Sequence, residues 1–433
     1  MTWLALVIAA ATAAPVDPPA APVDPPGATN DAAGYSPMNP EAADPPLRLT
    51  GYVDVGFARA QGDGTSWTSG DQRLPGDYGV DTFATMVNSR GDVASTDPGG
   101  RFTNGFLPRS AGIGGRGSFL VNTVDVDIRY TPATKPVMIF ARLQLLPRFA
   151  GDGDHTQVLL EQAFARVIPF SSQEFAIFAG KFDSVFGIEY LQNEANFRTG
   201  VTPSLIARYT TGQSVGVKAF YRFEVPQLVS ALSLNVSATN SGTLVEALQG
   251  PDASLTGVPI VSGRLGYELL LRHVLVKLGA SAGRGPRNDQ HDGAVLEQLF
   301  GGDARLLAGP VSLAGEYVQV DQDRGTAADK VTGAGPQTVA SGFHARGGYV
   351  EAALGFEVPA ASLHHVAVYG RYARRRAWFE GFTPLMVDAV SGGLRLDLWE
   401  SIAVKAEYLH NIELEGEPNV DNDVVTSSLV VTW

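Results

Sequence analysis

The 433-residue chain contains no cysteine. A disulfide framework and a thiolate metal site are therefore both excluded. Beyond the N-terminus it has no run of the ~18 or more apolar residues that a membrane helix requires. It lacks a basic surplus as well. Lys and Arg number 32 against 45 Asp and Glu, a net charge of −13, which argues against a general nucleic-acid binder. Histidine is scarce, with seven scattered residues, so a nucleophile–His pair has little to build on and no enzyme is expected. No cofactor or metal site is expected either. What remains is an ordinary apolar fraction of 44%, a mean hydropathy of +0.02 and 49 glycines. A helical membrane protein would stand out on those figures. A barrel with alternating faces would not, because polar lumen residues cancel apolar outer ones.

The last eleven residues, Asp423 to Trp433, read DVVTSSLVVTW. Val425, Leu429, Val431 and Trp433 share one face. Val424, Thr426, Ser428, Val430 and Thr432 share the other. Such a strand, ending on an aromatic with a polar handle, suits the last strand of an outer-membrane β-barrel. Trp433 is accordingly the candidate signal for the barrel assembly machinery.

The N-terminus reads as an export signal. Leu4 to Ala14 is short and apolar, and Ala11-Thr12-Ala13 fits an A-x-A-like cleavage site, giving a signal peptide over 1–13. No Lys or Arg precedes the apolar run. Residues 14–46 form a Pro/Ala/Asp linker with a tandem repeat, Ala14 to Pro19 and Ala21 to Pro26. This composition cannot build a core and predicts a disordered periplasmic tail. About 46 residues ahead of the first strand are too few for the plug of a TonB-dependent transporter.

From Leu47 onward the chain shows period-2 segments at 47–58, 117–130, 136–148, 156–168, 173–183, 212–222, 230–240, 259–270, 273–283, 296–308, 311–321, 345–357, 364–374, 388–399, 402–410 and 423–433. Short connections alternate with longer polar ones throughout. That alternation predicts an all-β fold over 47–433: a transmembrane up-and-down antiparallel β-barrel of about 16 strands, give or take one hairpin, with both termini periplasmic.

The faces can be read individually. In 388–399, Val390, Gly392, Leu394 and Leu396 oppose Ser391, Gly393, Arg395 and Asp397. In 402–410, Ile402, Val404, Ala406 and Tyr408 oppose Lys405 and Glu407. A Lys or Arg on the lipid face near the midplane costs about 2–4 kcal/mol, so the charged set faces inward. About sixteen strands enclose a lumen wider than side chains can fill.

Along the same segments stand Gly51-Tyr52-Val53-Asp54, Glu161-Gln162-Ala163-Phe164, Gly180-Lys181-Phe182-Asp183 and Phe186-Gly187-Ile188-Glu189, and the pairs Glu316-Tyr317 and Glu407-Tyr408 recur later. In these stretches the chain resembles the OmpL-like β-barrel porin family of Gram-negative outer membranes. Phe164 stands where a Tyr is expected, and Trp433 where such barrels more often end in Phe. The resemblance covers roughly Leu47 to Trp433 and implies passive diffusion of solutes. It says little about which solute.

Parity assigns inward cations to Arg48, Arg129, Arg142, Arg166, Lys218, Arg222, Arg264, Lys277, Arg305, Arg371, Arg395 and Lys405. It assigns inward anions to Asp54, Asp125, Asp127, Glu268, Asp303, Glu316, Glu351, Asp397 and Glu407. Arg166 and Glu161 have ambiguous parity. Twelve against nine predicts a slightly basic lumen and a weak anion preference. The charges could instead simply pair across strands. The acidic excess lies in the tail and in Glu413, Glu415, Glu417 and Asp421.

The third long connection, about Ser184 to Thr211, is the expected constriction. In the general porins that it resembles in position, this loop folds into the barrel. Carried over, Glu189, Glu194, Arg198 and Arg208 would stand near the eyelet. A loop packed on the rim is the alternative, and the still longer connection 59–116 could cap the pore instead. Several other motifs carry less. Arg374-Arg375-Arg376 with Trp378 reads as a basic rim that could attract lipopolysaccharide phosphates. Asp152 and Asp154 in GDGDH read as a turn. Arg90-Gly91-Asp92 reads as chance. His364 and His365 point to opposite faces and cannot chelate together.

The sequence thus predicts an outer-membrane porin that passes small hydrophilic solutes or ions, in contact with outer-membrane lipid and lipopolysaccharide. A non-conducting structural or adhesive barrel is the alternative.

Overall fold

The computed structural model describes residues 46–60, 95–96, 102–103, 117–132, 136–146, 157–170, 174–192, 194–225, 228–240, 259–286, 296–322, 343–360, 362–379, 384–399, 401–414 and 423–433. The export signal, the Pro/Ala linker, nearly all of 59–116, GDGDH, Arg90-Gly91-Asp92 and the acidic residues Glu415, Glu417 and Asp421 lie outside the described residues.

Sixteen strands close into one barrel. They are β1 Leu47–Ala60, β2 Gly117–Tyr130, β3 Val137–Leu146, β4 Gln157–Val167, β5 Phe175–Asp183, β6 Gln213–Val225, β7 Ser230–Thr239, β8 Ile260–Leu271, β9 Val274–Pro286, β10 Leu296–Ala308, β11 Val311–Gln322, β12 Phe343–Glu357, β13 Leu363–Phe379, β14 Leu385–Leu398, β15 Ile402–Glu413 and β16 Val424–Thr432. Each pairs antiparallel with its neighbours in sequence, and β1 pairs with β16 to seal the ring. A backbone group in lipid has no water to bond. Closure satisfies every strand edge at once. The sixteen expected segments coincide with these strands. β13 and β14 run further than expected, which shortens their connection to 380–384.

Seven short turns and both barrel termini lie at one end, and the long connections lie at the other. Two-residue turns need a left-handed residue. Gly309 supplies it at φ 56 after β10, but Arg272 at φ 52 after β8 is not a glycine. The outer surface is apolar: Leu265, Leu278, Val350 and Val368 are exposed, while Arg264, Ser281 and Arg371 on the opposite face are buried. An aromatic girdle rings the short-turn end, with Tyr130, Phe170, Phe223, Phe356, Trp399 and Trp433 exposed on it. Rings with polar edges are favoured at that depth of a membrane.

Trp433 closes the seam. Its N–H donates to the Gly51 carbonyl at 3.1 Å, and its carbonyl accepts from Gly51 N–H at 3.2 Å. Its indole lies over Gly51. A Cβ there would stand 2.6 Å from Cζ2, so this position of β1 must be glycine for the indole to lie flat.

Two bulges interrupt the period-2 pattern. Between β1 and β2 the register steps from Asp54–Thr123 to Val55–Val121, leaving Asn122 extra. Between β3 and β4 it steps from Arg142–Gln162 to Leu143–Leu160, leaving Glu161 extra. The second bulge settles the ambiguous parity of Glu161: Glu161 and Gln162 are both buried on the inner face. Arg166 also points inward and is buried.

The inner face is less uniformly polar than alternation alone predicts. Met138, Phe140, Phe164, Phe178, Phe182 and Phe220 form a buried apolar patch on β3 to β6. Phe164, where a Tyr is expected, packs here between Phe140 and Phe178 with tilted rings at centroid distances of 5.3 and 5.5 Å. The Lys218 ammonium lies over Phe178 and Phe182 at 4.8 and 4.9 Å.

Candidate functional site: a connection folded into the barrel

The connection 184–212 between β5 and β6 does not sit on the rim. It contains a 3-10 turn, Glu189–Gln192, and one helical turn, Ala207–Thr210. Val185, Phe186, Tyr190, Ile206 and Tyr209 along it are buried. Phe186, Leu205, Ile206 and Tyr209 pack with Val318, Val320, Ala345 and Tyr349 of β11 and β12. Small wall residues make room, since a Cβ on Gly301 would strike the Phe186 ring at 2.6 Å.

Polar latches fix the path of its backbone. Glu316 on β11 accepts the N–H groups of Ile188 and Glu189 at 3.1 and 3.0 Å. Gly187, at φ +70, brings the chain close enough that any Cβ would collide with that carboxylate. Ser281 Oγ on β9 accepts the Gly187 N–H at 3.0 Å. Further along, Glu407 on β15 accepts from Val201 N–H at 2.8 Å, Thr202 N–H at 3.2 Å, the Thr202 hydroxyl and the Tyr369 hydroxyl. Cations serve the carbonyls. Lys405 donates to the oxygens of Ala195, Arg198 and Gly200. Arg371 donates to those of Thr202 and Pro203 at 2.8 and 3.0 Å, and Arg395 to that of Arg198 at 3.0 Å.

Of the expected constriction residues, Glu189, Glu194 and Arg198 are buried inside the barrel. The side chain of Arg208 lies outside the described residues. Glu189 accepts from Ser204 N–H at 2.7 Å and from the Ser204 hydroxyl at 2.5 Å, closing the connection on itself. Burial raises its carboxyl above the ordinary range, against the lowering pull of Ser204, Arg371 and Arg198. Glu194 crosses to the opposite wall, where it takes the Tyr52 hydroxyl at 2.6 Å and the Arg142 guanidinium at 2.9 Å.

The expected inner-face charges are largely paired. Arg142 and Asp127 form a bidentate pair at 2.6 and 2.9 Å, and Arg264 and Asp303 another at 2.9 and 2.6 Å. Glu268 bridges Lys277 at 3.2 Å and Arg222 at 3.0 Å. Arg395 binds Asp397 at 2.8 Å, and Arg129 is half-buried near the short-turn end. The bulge brings Glu161 inward, and Glu297 on β10 is buried on the inner face as well. With these acids set against Arg375, and Glu189 and Glu194 of the connection against its Arg198, little of the cation surplus expected from parity remains.

The Arg374–Arg376 run is not a uniform basic rim. The pleat of β13 splits it. Arg375 is fully buried, donating to the Tyr209 hydroxyl at 2.8 Å and lying over its ring. Arg374 and Arg376 point outward, the first onto Asp388 at 2.6 Å, the second beside Trp378 at 5.5 Å. A spacing that the sequence reading missed, Gly279-Ala280-Ser281-Ala282-Gly283, fits G-x-S-x-G. It lies inside β9 with no strand-to-helix turn, so it is not a nucleophile elbow.

No known family and no curated protein matches this sequence. Solved structures do match in fold. The outer membrane channel DcaP of Acinetobacter baumannii aligns with a TM-score of 0.53 at 8% identity, over 89% of this chain and 97% of its own. The anion-selective porin from Comamonas acidovorans aligns with a TM-score of 0.51 at 11% identity, over 89% and 99%. At such identities the likeness is one of fold alone.

Proposed function

We propose that the chain is an outer-membrane porin of the OmpL-like kind, a non-enzymatic, water-filled channel for passive diffusion of small hydrophilic solutes or ions. The observation that carries this reading is the connection 184–212, latched inside a barrel whose inner wall is charged. Such a loop narrows a lumen that sixteen strands would otherwise leave wide. Opposed fixed charges along the path orient water and dipolar solutes. The long-connection end then faces outside and both termini the periplasm. Trp433 and its exposed face serve recognition by the assembly machinery. Outward-facing Arg346 and Arg376 over Trp378 support a contact with lipopolysaccharide phosphates, with Arg374 on the same face held by Asp388. A weak anion preference follows from the remaining surplus of inward cations.

Planar-bilayer recording tests this reading. Discrete conductance steps are expected, with a small anion-favouring reversal potential that fades as salt rises. The buried apolar packing between the connection and β11–β12 favours the second reading, a non-conducting structural barrel. Absence of steps from correctly folded protein would select it. Cysteine labels at 322–344 should react on intact cells while those at 131–135 and 358–363 stay protected, and the reverse pattern would overturn the orientation.

A further inference from the structure

Away from the Glu316 and Glu407 latches, the connection meets a group of acids on the opposite wall. One carboxylate oxygen each from Asp125 on β2, Glu161 on β4 and Glu194 on the connection lie within 4.8 Å of one another. All three side chains are more than nine-tenths buried. We propose that Asp125, Glu161 and Glu194 bind a divalent cation, Ca²⁺ by their chemistry, which fastens the connection to the wall.

Four observations carry this. Arg142 cannot balance the group alone: its Nε and one terminal nitrogen hold Asp127, and its other nitrogen stands 2.9 Å from Glu194 and 4.0 Å from Glu161. Asp125 is fully buried; its Oδ1 accepts from the Thr123 hydroxyl at 3.1 Å, while its Oδ2 makes no well-formed hydrogen bond, and the group faces the Glu194 carboxylate and the Tyr52 hydroxyl. A buried carboxylate oxygen without a donor is costly unless a cation meets it. The β4 bulge adds Glu161 to this group, where a regular strand would turn it outward. Placing a third carboxylate beside two others is unfavourable by itself and favourable around a dication. Finally, neutral groups that carry oxygens stand beside the acids. The Tyr52 hydroxyl donates to Glu194 at 2.6 Å, and Gln144 Nε2 donates to Glu161 at 3.4 Å.

An all-oxygen set of this kind, carried on three separate elements, suits Ca²⁺. That ion takes ~6–8 oxygens in flexible geometry, whereas Mg²⁺ demands a near-ideal octahedron and keeps its water. Two ligands come from the wall and one from the connection, so binding couples to docking.

The test uses full-length protein folded in detergent, with no need of conduction, so its failure is separate from that of the channel reading. Unfolding midpoints are compared in EDTA and in Ca²⁺ for the wild type and for Asp125→Asn/Glu161→Gln. In EDTA the variant should match or exceed the wild type, because like charges have been removed. Ca²⁺ should raise the wild-type midpoint and leave the variant unmoved, reversing the order. At ten times the dissociation constant the folded state gains roughly tenfold. Tb³⁺ bound beside Tyr52 should show tyrosine-sensitised emission that Ca²⁺ displaces. No midpoint shift in the wild type up to about 10 mM Ca²⁺, or an equal shift in the variant, overturns the proposal.

Discussion

Removing the charge of Glu407 should loosen the connection from the wall. Its carboxylate accepts two backbone N–H groups of the connection, at 2.8 and 3.2 Å, together with two hydroxyls. Hydrogen bonds to a charged group contribute about 1.5–3 kcal/mol each, and neutral ones about 0.5–1.5. Glu407→Gln keeps an acceptor oxygen but loses the charge. The two N–H bonds should together weaken by about 2 kcal/mol, a shift of roughly thirtyfold toward the undocked connection. Glu316→Gln should do the same at Ile188 and Glu189. Each single variant leaves the other latch in place. Because both hold one segment, the double variant should exceed the sum of the singles. The assay pairs open-channel noise in planar bilayers with trypsin cleavage after Arg198, which is buried in the docked form. Noise and cleavage should rise slightly in each single variant and steeply in the double. Wild-type noise and full resistance in the double variant would refute the latch account.

Gly51→Val should block the seam, since its Cβ would press into the Trp433 indole; deleting Trp433 should act alike, and both are read as loss of heat-modifiable barrel on gels. Arg272→Gly should raise the unfolding free energy by about 1 kcal/mol, read as a higher urea midpoint, by removing left-handed strain at φ 52 in the β8–β9 turn. Docking should also respond to pH. Burial raises the Glu189 carboxyl, so the docked connection holds this proton to higher pH than a free one. Docking is then fully favoured below the ordinary carboxylate range and weakens as pH rises through the raised value. Open-channel noise should grow with pH across that window, and Glu189→Gln should flatten the profile.

The barrel was legible because lipid enforces a period of two. Val425, Leu429 and Val431 must face out, and each wall charge must then face in. The bulges were less legible. At Glu161-Gln162 two adjacent polar residues both turn inward, and the only trace in sequence is the parity conflict there. The alternation was available for Arg374 to Arg376 but a run of three like charges conceals it: Arg375 goes to Tyr209 while its neighbours go outward. The latches left no trace. Glu407 and Lys405 bind backbone groups some two hundred residues earlier, and a main-chain N–H or carbonyl carries no residue-type signal. The aromatic patch around Phe178 was missed for a related reason: a wide barrel can hide apolar side chains on either face.

Much of what the wall holds on the connection is main chain. Glu316, Glu407, Lys405, Arg371 and Arg395 all address amides and carbonyls, which any sequence able to trace the same path would present. The barrel therefore works as a socket. Provided that the glycines at 187 and 200, where the chain presses against wall carboxylates, are kept along with the side chains seated in the wall, Phe186, Glu194, Thr202, Ile206 and Tyr209 among them, the remaining side chains on the insert become exchangeable parts. New permeation properties could be grafted into this scaffold by rewriting one segment, without altering the wall that holds it.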